Sequence, residues 1–345
     1  MAEKVLVTGA AGLVGGNLVR RLVVQGYEVG VLLIPGSNTA AFNDLSVHRL
    51  SGDVLDPQSL DQAMKGADYV FHLAAMVTMW RYNAGQVRDV NVTGTINVIN
   101  ACIKNNIKRL MHVSTVDAIG FSTPDGHGLI DKPSTEDVPY QNDRFNIPYM
   151  KTKWEAQEIV RTAVRSKKID AVILNPTYML GPYDVRPSSG RMILEIAQSK
   201  VVPYTSGGNN FVHVGDVADA MITALKKGRT GELYILGNEN LFYKQMFEKI
   251  ASVTGKKPTF VKVPKLIALA GGYIGDLYGI MKGREPKISS GEASMGFVQH
   301  FFSPEKARKE LGLKSTPVET AIEDAFRWFV DNGYLGKKQG EKGER

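Results

Sequence analysis

The chain has 345 residues, of which 43% are apolar and 22% are charged, and its net charge at pH 7 is +7. These proportions are typical of globular proteins and exclude a disordered chain, a collagen-like chain and a coiled coil. At roughly 150 residues per domain, the length predicts about two domains. The basic stretch 337–345 carries four positive and two negative charges and so contributes two units of the net charge. The modest remainder predicts no binding of nucleic acid.

The single cysteine, Cys102, excludes an intrachain disulfide, which suits a reducing, cytoplasmic compartment. It lies in an apolar periodic stretch and is predicted to be a buried structural thiol. No signal peptide is expected, because the first apolar run, at 5–7, is too short. The membrane-like stretch 266–281 is interrupted by Asp276 and by glycines and is shorter than the roughly 20 residues of a spanning helix. A packed helix or a lid is therefore predicted there, and membrane contact is the less favoured alternative.

Short apolar runs alternate with longer helical patterns through the first half of the chain. Strands are predicted at 5–8, 28–33, 47–50, 69–73, 110–114, 171–175 and 233–236. Helices are predicted at 13–25, 59–65, 85–104, 149–167 and 216–227, the last packed back on the first domain. Asp56 and Asp216 are predicted N-caps. Strands that are apolar throughout and alternate with helices predict an α/β fold with a doubly wound parallel sheet.

The segment 8–15 joins the first predicted strand to the first predicted helix. Its three glycines allow the backbone to turn tightly and approach a pyrophosphate, while the helix N-terminus supplies N–H groups and a positive dipole end. A glycine triplet alone is weak evidence, but this position between strand and helix makes it specific. The GxxGxxG spacing favours a short-chain dehydrogenase. The predicted dinucleotide contacts here are Gly9, Ala11, Gly12, Leu13, Val14 and Gly15.

The end of the second predicted strand bears on the choice between NAD and NADP. An acid there binds the ribose 2′-hydroxyl of NAD, and an arginine binds the 2′-phosphate of NADP. Leu33 and Ile34 provide neither, although Ser37 and loop N–H groups are available to a phosphate. Both cofactors stay open, and the missing acid favours NADP. Further along, Asp53 is predicted to accept the adenine amino group, and the small residues at 72–75 to let the cofactor lie close.

A tyrosine and a lysine lie four residues apart at the start of a predicted helix, at 149 and 153. This spacing places both side chains on one helix face. A free phenol has a pKa of about 10, and an ammonium about 4 Å away favours the phenolate by about 4 kcal/mol at an effective dielectric near 20. The pair therefore predicts a Tyr149 pKa lowered toward the range of proton transfer, with Lys153 also available to the nicotinamide ribose.

The fifth predicted strand ends in Ser114 and Thr115. Ligands of open parallel sheets bind beyond the carboxyl ends of the strands. Thr115 is therefore the candidate for a hydrogen bond to the substrate oxygen, and Ser114 is expected nearer the cofactor.

These motifs together resemble those of the extended short-chain dehydrogenases/reductases, within the NAD-dependent epimerase/dehydratase superfamily. The shared motifs are TGAAGLVG at 8–15, GDVLDP at 52–57, HLAA at 72–75, NVTGT at 91–95, VSTVDAIG at 113–120, YMKTK at 149–153 and NPTYMLGP at 175–182. The resemblance implies a catalytic triad of Thr115, Tyr149 and Lys153, supported by Asn91. It also implies a Rossmann-type sheet of about seven strands and hydride transfer, with Tyr149 moving the proton. The further cofactor contacts that it implies are Val54, Leu73, Ala74, Ala75, Asn175, Pro176 and Thr177.

The second half of the sequence narrows the substrate class. NNFVHVGD at 209–216 is similar to the RDxIHVxD segment of nucleotide-sugar epimerases, but Asn209 replaces the arginine that clasps a diphosphate. The segments after 186 resemble the dihydroflavonol-reductase-like and 3β-hydroxysteroid-dehydrogenase-like branch, which includes hopanoid-associated sugar epimerases. An apolar pocket is expected, lined by Met76, Met79, Trp80, Tyr178 and Met179. Arg186 and Arg191 are the alternative diphosphate ligands that the sequence offers.

The predicted organisation is a nucleotide-binding domain of 1–180 plus about 209–236 and a smaller, mostly helical substrate-binding cap of 181–208 plus 237–335. A disordered basic tail is predicted at 336–345. Three functions follow from the motifs: an NAD(P)-dependent oxidoreductase acting on a largely apolar or cyclic secondary alcohol or ketone, a nucleotide-sugar epimerase or dehydratase, and a non-catalytic cofactor-binding regulator. The intact triad disfavours the regulator. A small-molecule substrate, no metal and a homodimer through the helices near 85–104 and 149–167 are expected.

Overall fold

The structure is a computed structural model that describes residues 2–123 and 125–335; the predicted tail at 336–345 lies outside the described residues. The strands are β1 Lys4–Thr8, β2 Glu28–Leu33, β3 His48–Ser51, β4 Tyr69–His72, β5 Arg109–Val113, β6 Ala171–Pro176, β7 Tyr178–Leu180, β8 Val201–Tyr204, β9 Gly208–His213, β10 Leu233–Leu236, β11 Glu239–Phe242, β12 Thr259–Lys262 and β13 Gln299–His300. The helices are α1 Leu13–Val24, α2 Pro57–Ala63, α3 Ala84–Arg88, α4 Gly94–Lys104, α5 Pro148–Arg165, α6 Arg191–Gln198, α7 Val214–Lys227, α8 Tyr243–Val253, α9 Lys265–Lys282, α10 Ser290–Met295, α11 Glu305–Leu311 and α12 Val318–Asp331.

Seven strands form a parallel sheet in the order β10-β6-β5-β4-β1-β2-β3. The predicted Rossmann-type doubly wound sheet is confirmed, and the bounds predicted for β2 and β10 coincide with those observed. The strand order reverses between β1 and β4. In such sheets this reversal opens a crevice at the carboxyl ends of the strands, where ligands bind.

Successive residues of the central strands face opposite sides of the sheet and enter separate cores. Val5 and Val7 of β1 belong to the core beneath α1 and α7, whereas Leu6 belongs to the core beneath α4 and α5. This alternation explains why the strands are apolar throughout, since both faces are covered by helices. Cys102 lies in the second core with 2% of its surface exposed, as predicted.

A smaller sheet and a third core lie beyond the main sheet. Strand β9 pairs with β7, β11 and β13, and β8 pairs with β12. The predicted boundaries assign β7 and β9 to the larger domain, but both strands pair outside its sheet. Their pairing joins residues far apart in sequence, such as Met179 with Val212, which local patterns do not reveal.

Two helix predictions need correction. The predicted helix 85–104 is divided into α3 and α4 by a π-helical turn, Asp89–Thr93. Asp216 is not the N-cap of α7: His213 accepts from the Gly215 backbone N–H at 2.8 Å, while Asp216 accepts from the Thr316 backbone. By contrast, Asp56 caps α2 by accepting from a backbone N–H at 2.9 Å, as predicted. Helix α7 packs against α1, also as predicted.

Candidate active site

Three residues predicted to be catalytic meet where β5 ends and α5 begins. Thr115 lies two residues beyond β5, and Tyr149 and Lys153 lie in the first turns of α5. All three are buried, with exposures of 7%, 8% and 4%. The Thr115 hydroxyl is close enough to the Tyr149 phenol to lower its pKa, and the Lys153 Nζ donates to the Val113 carbonyl at 2.8 Å. The structure therefore brings the predicted triad together.

Burial has the largest effect on the pKa values of Tyr149 and Lys153. It raises the pKa of the Tyr149 phenol, the Asp117 charge raises it further, and the Thr115 hydrogen bond lowers it. This direction is opposite to the one that the Tyr–Lys spacing predicts, because burial has the largest effect and the Asp117 charge acts in the same direction. Burial also lowers the pKa of Lys153 to about 8. At neutral pH the phenol thus keeps its proton, which suits a proton donor.

The Asn91 side chain is hydrogen-bonded to two segments that flank the triad, the loop after β4 and helix α5. Its Oδ1 accepts from the Met76 backbone N–H at 2.8 Å, and its Nδ2 donates to the Met76 carbonyl and to the Thr152 hydroxyl, each at 3.1 Å. It lies in the π-helical turn, a feature that often marks functional sites. Asn91 therefore ties the loop after β4 to α5 beside Tyr149, and is a positioning residue.

Asp117 is a functional candidate that the sequence reasoning missed. Its backbone N–H donates to Thr115 Oγ1 at 3.2 Å, and its carboxylate lies 3.3 Å from the same hydroxyl. Burial raises the pKa of this carboxyl to about 6. The His300 Nε2 lies 3.8 Å away, and burial lowers the pKa of His300 to about 4, so the two do not form an ion pair at neutral pH. The signal available in the sequence was an acid two residues after the catalytic threonine.

The variant Asp117→Asn is expected to change how stability depends on pH. Because the folded pKa of about 6 exceeds the ordinary value of 3.8 for an aspartate carboxyl, this group stabilises the fold fully below about pH 4 and loses that contribution as pH rises to 6. The variant should therefore gain about 1–3 kcal/mol over the parent protein between pH 4 and pH 7. Urea unfolding across this range measures the difference, and a pH-independent difference would contradict the assignment.

Asp125→Asn is the matched control for that measurement. Asp125 is exposed, and a hydrogen bond from Thr123 lowers the pKa of its carboxyl. Its contribution to stability is present above the pKa that an aspartate has in the unfolded chain, and is lost as pH falls. The control should therefore show a small difference with the opposite dependence on pH.

The glycine segment after β1 forms a backbone cradle that fits a dinucleotide. Gly9 has φ +73°, and a Cβ there would lie 2.6 Å from the Ala74 nitrogen; at Gly15 it would lie 2.3 Å from the Gly9 oxygen. Gly12 caps α1 without a side-chain hydrogen bond, and the first turn of α1 has no acidic residue. The N–H groups and dipole of this helix end are therefore open to a pyrophosphate. Ala11, Leu13 and Val14 belong to the same turn.

The comparison with protein families bears directly on this site. A sequence profile described as the NAD dependent epimerase/dehydratase family matches residues 5–237. The chain belongs to the NAD-dependent epimerase/dehydratase family. This confirms the predicted relationship to extended short-chain dehydrogenases, and establishes an enzyme family that uses a nicotinamide dinucleotide.

Individual relatives agree with this membership over nearly their full length. The chain is 31% identical to the "Putative dihydroflavonol 4-reductase" of Synechocystis sp., with 97% of each sequence covered. It is 30% identical to sterol demethylase protein B of Methylococcus capsulatus, covering 96% of this chain and 99% of that protein. The crystal structure of gox2253 is similar, with a TM-score of 0.83, 32% identity and coverage of 96% and 99%.

This member of the NAD-dependent epimerase/dehydratase family has further buried polar atoms at the ends of β5 and β6. The buried Oγ of Ser114 and Oδ1 of Asn175 lack hydrogen-bond partners in the described structure. The Asn175 amide donates to the Thr115 carbonyl at 2.8 Å, and Thr177 donates to Asn210 at 2.9 Å. The Ser114 hydroxyl and the Asn175 amide oxygen are therefore available to a cofactor. Pro176 ends β6 beside Asn175, and Leu73, Ala74 and Ala75 follow β4 beside the cradle.

Residues 33–37, at the predicted adenosine end, include neither Lys nor Arg. Ile34 is 56% exposed, and the Ser37 hydroxyl donates to the Ile34 carbonyl at 2.7 Å. The Asp53 carboxylate accepts from the Leu55 N–H at 3.0 Å, which leaves its other oxygen for the predicted adenine contact. Val54 is buried against the start of α4, where a Cβ at Gly94 would lie 2.9 Å from it.

The predicted pocket residues divide into buried and exposed groups. Trp80 is 5% exposed and its Nε1 has no partner in the described structure; Met76 is partly buried and is held by Asn91. The Tyr178 hydroxyl donates to the Ser189 carbonyl at 3.2 Å. Met179 packs against the core beneath α1 and α7, and Met79 packs against the core beneath α4 and α5. Arg186 is exposed.

Tyr243 is a further residue of the site that the sequence analysis did not select. Its phenol is hydrogen-bonded to Asn209, and burial raises its pKa to about 12. The charge of Asp117 also raises this pKa, as it does for Tyr149. It lies at the start of α8, more than 90 residues beyond Tyr149, and only the pairing of β9 with β11 brings it near.

Proposed function

We propose that this protein is a nicotinamide-dependent reductase or dehydrogenase that interconverts a secondary alcohol and a ketone on a largely apolar or cyclic substrate. The observation that carries the proposal is the joint burial of Thr115, Tyr149 and Lys153 at the carboxyl end of β5. The segment that would clasp a diphosphate holds Asn209 in place of an arginine.

The residues of the chain supply binding, orientation and one proton. When bound, the nicotinamide would donate or accept a hydride. In reduction, the Tyr149 hydroxyl gives its proton to the carbonyl oxygen of the substrate, while the Thr115 hydroxyl orients that oxygen by a hydrogen bond. Lys153 remains an ammonium below its pKa of about 8 and stabilises the phenolate that forms. Asn91 holds the loop that carries Met76 beside them.

The apolar substrate class is supported by two aromatic residues of the predicted pocket. Tyr178 packs edge-on against Phe211 with ring centroids 5.3 Å apart, and Trp80 is buried. Arg191, one alternative ligand for a diphosphate, lies near the carboxylates of Glu195 and Glu292 at 3.7 and 3.8 Å. Of the two arginines, Arg186 is exposed and forms no ion pair among the described residues, and recognition of a diphosphate normally uses charge-assisted bonds.

Assays with both nicotinamides test the proposal against the epimerase alternative. We expect oxidation of NADH or NADPH with members of a panel of cyclic and long-chain ketones, and no heat of binding with UDP- or dTDP-sugars. A nucleotide-sugar epimerase or dehydratase would bind those sugars tightly and leave the ketones unreduced, and that pair of results would refute the proposal.

We also propose that NADP is the preferred cofactor, since residues 33–37 contain no acid to bind a ribose hydroxyl. Leu33→Asp is expected to shift the ratio of NADH to NADPH affinity by about 10-fold or more toward NADH, because a carboxylate binds the 2′-hydroxyl and repels the 2′-phosphate. Titration of intrinsic fluorescence with each cofactor measures the ratio. Leu33→Asn is the neutral control, and a parent protein that binds NADH more tightly would contradict the preference.

A further inference from the structure

Helix α9 exposes an apolar face. Of its 18 residues, only Gly272, Asp276 and Gly279 are buried. Its exposed large apolar residues reach 83% exposure at Leu266 and 76% at Met281. This apolar face consists of Leu266, Ile267, Tyr273, Ile274, Leu277, Tyr278, Ile280 and Met281. The helix predicted to be packed or to form a lid thus packs through its glycines and leaves its large apolar side chains in solvent.

The glycine side of α9 fixes this orientation. A Cβ at Gly272 would lie 2.8 Å from the Ser289 oxygen, and one at Gly275 would lie 2.1 Å from the Ile288 oxygen. Asp276 accepts from the Ser290 backbone N–H at 3.3 Å. These close backbone contacts hold one side of α9 against the segment that leads into α10, so the apolar face points outward as part of the fold.

Basic side chains outnumber acidic side chains at the two ends of α9. Five exposed basic side chains flank the apolar face at its two ends, and none forms an ion pair within the described residues: Lys262, Lys265, Lys282, Arg284 and Lys287. Of the two acidic side chains of the same segment, Asp276 is buried and accepts from α10. Glu285 is exposed but is engaged by the Thr78 hydroxyl at 2.5 Å. The outward surface is therefore apolar in the middle and positive at both ends.

We propose that α9 is an interfacial helix that docks this protein on an anionic lipid surface. An exposed apolar helix face with basic flanks matches the acyl boundary and the anionic headgroups of a bilayer. At 1.5 Å per residue the helix is about 27 Å long, and no helix in the described part of the chain is long and apolar enough to cross a membrane. The helix therefore lies along the surface.

The charge pattern favours lipid over a second copy of the chain. In a two-fold symmetric contact the same patch meets itself. Either antiparallel or parallel apposition of α9 would bring basic ends of the two copies together, because both ends are positive. Like charges across an interface oppose association, whereas anionic headgroups would neutralise both ends at once.

The docking helix also adjoins the predicted substrate pocket. A Cβ at Gly279 would lie 3.1 Å from Trp80, and one at Gly291, in α10, would lie 2.2 Å from the Met79 carbonyl. Docking would thus place the pocket entrance near the bilayer, from which an apolar substrate could partition. This consequence rests on the proposed function, but the docking does not.

Vesicle flotation of the full chain tests the docking without substrate. We expect flotation with phosphatidylcholine–phosphatidylglycerol vesicles, and much less with phosphatidylcholine alone or at high salt. The double variant Ile274→Asp/Leu277→Asp should bind the mixed vesicles at least about 100-fold more weakly. Lys282→Glu/Lys287→Glu should lose at least about 10-fold, only with anionic vesicles. Val24→Asp is the control, since Val24 is an equally exposed apolar residue, at 84%, on α1.

A thiol-attached fluorophore locates the contact. Because Cys102 is 2% exposed, Leu277→Cys offers the accessible thiol for an environment-sensitive dye, with Val24→Cys as the control. A blue shift with anionic vesicles at position 277 alone is expected. Absence of both flotation and shift overturns the proposal, as does a concentration-dependent dimer that Leu277→Asp dissociates while vesicles stay unbound. Ketone reduction measured separately, without vesicles, distinguishes failure of docking from failure of the proposed function.

Discussion

Tyr149→Phe is expected to lower kcat for ketone reduction by about 10²- to 10⁴-fold while cofactor binding persists. The change removes one hydroxyl, the atom that we assign to proton transfer, and a positioned acid or base contributes about this factor. The phenyl ring keeps the packing of a side chain that is 8% exposed in the second core, so the fold should survive. Steady-state kinetics and a cofactor titration on the same preparation measure both properties.

Tyr27→Phe is the matched control, because it removes a phenol just before β2, at the opposite end of the strands from the triad. It should leave kcat within about twofold of the parent value, as expected for a surface change away from special features. Unchanged turnover in Tyr149→Phe would contradict the assigned role. Loss of cofactor binding together with turnover would instead show that the ring change had disturbed the site.

Gly15→Ala is expected to weaken cofactor binding by at least about 100-fold and to cost about 1–3 kcal/mol of stability. Its Cβ would lie 2.3 Å from the Gly9 oxygen and 2.6 Å from the Ala10 Cα, and backbone atoms at that distance must move. The movement separates α1 from the turn after β1, so the backbone N–H groups of the cradle no longer fit the pyrophosphate. Calorimetric titration with NADPH and thermal unfolding measure the two effects.

Gly85→Ala provides the control for a glycine in a helix. No atom lies within 4 Å of a Cβ built there, so alanine should be neutral or stabilising by up to about 1 kcal/mol through helix propensity. Equal cofactor affinity in Gly15→Ala and the parent protein would show that the cradle does not bind the dinucleotide.

Local patterns in the sequence predicted the nucleotide-binding half of the fold well. The strands of the main sheet are buried on both faces, so their apolar runs mark them clearly, as for β2 and β10. The π-helical turn within 85–104 was missed, because the apolar periodicity continues across it. Asp216 was mistaken for a cap, since Asp is a common N-cap residue and its bond to Thr316 spans 100 residues.

The candidate site was predictable where its residues belong to a compact motif. Thr115, Tyr149 and Lys153 lie in two short segments whose order along the chain matches the family pattern. Asp117 and Tyr243 join them through burial and strand pairing, and neither property is visible in local spacing. The pKa of Tyr149 was predicted in the wrong direction for the same reason, because charge spacing is readable from sequence while desolvation is not.

The exposure of the apolar face of α9 could not be predicted from the sequence, for a different reason. A stretch of apolar residues predicts burial, but the glycines of this helix allow such close backbone packing that its large side chains are left outside. The sequence supplies both the glycines and the basic flanks, whereas their division between an inner and an outer side emerges only from the packing.

Transfer of deuterium from the cofactor tests the central claim most directly. NADPH deuterated at the nicotinamide C4 position is incubated with the protein and a cyclic ketone that the panel identifies, and the product is analysed by mass spectrometry. We predict one deuterium on the carbinol carbon of the secondary alcohol with the parent protein, and none with Tyr149→Phe over the same time. Recovery of unreacted ketone with both deuterated NADPH and deuterated NADH, together with conversion of a nucleotide sugar, would contradict the account.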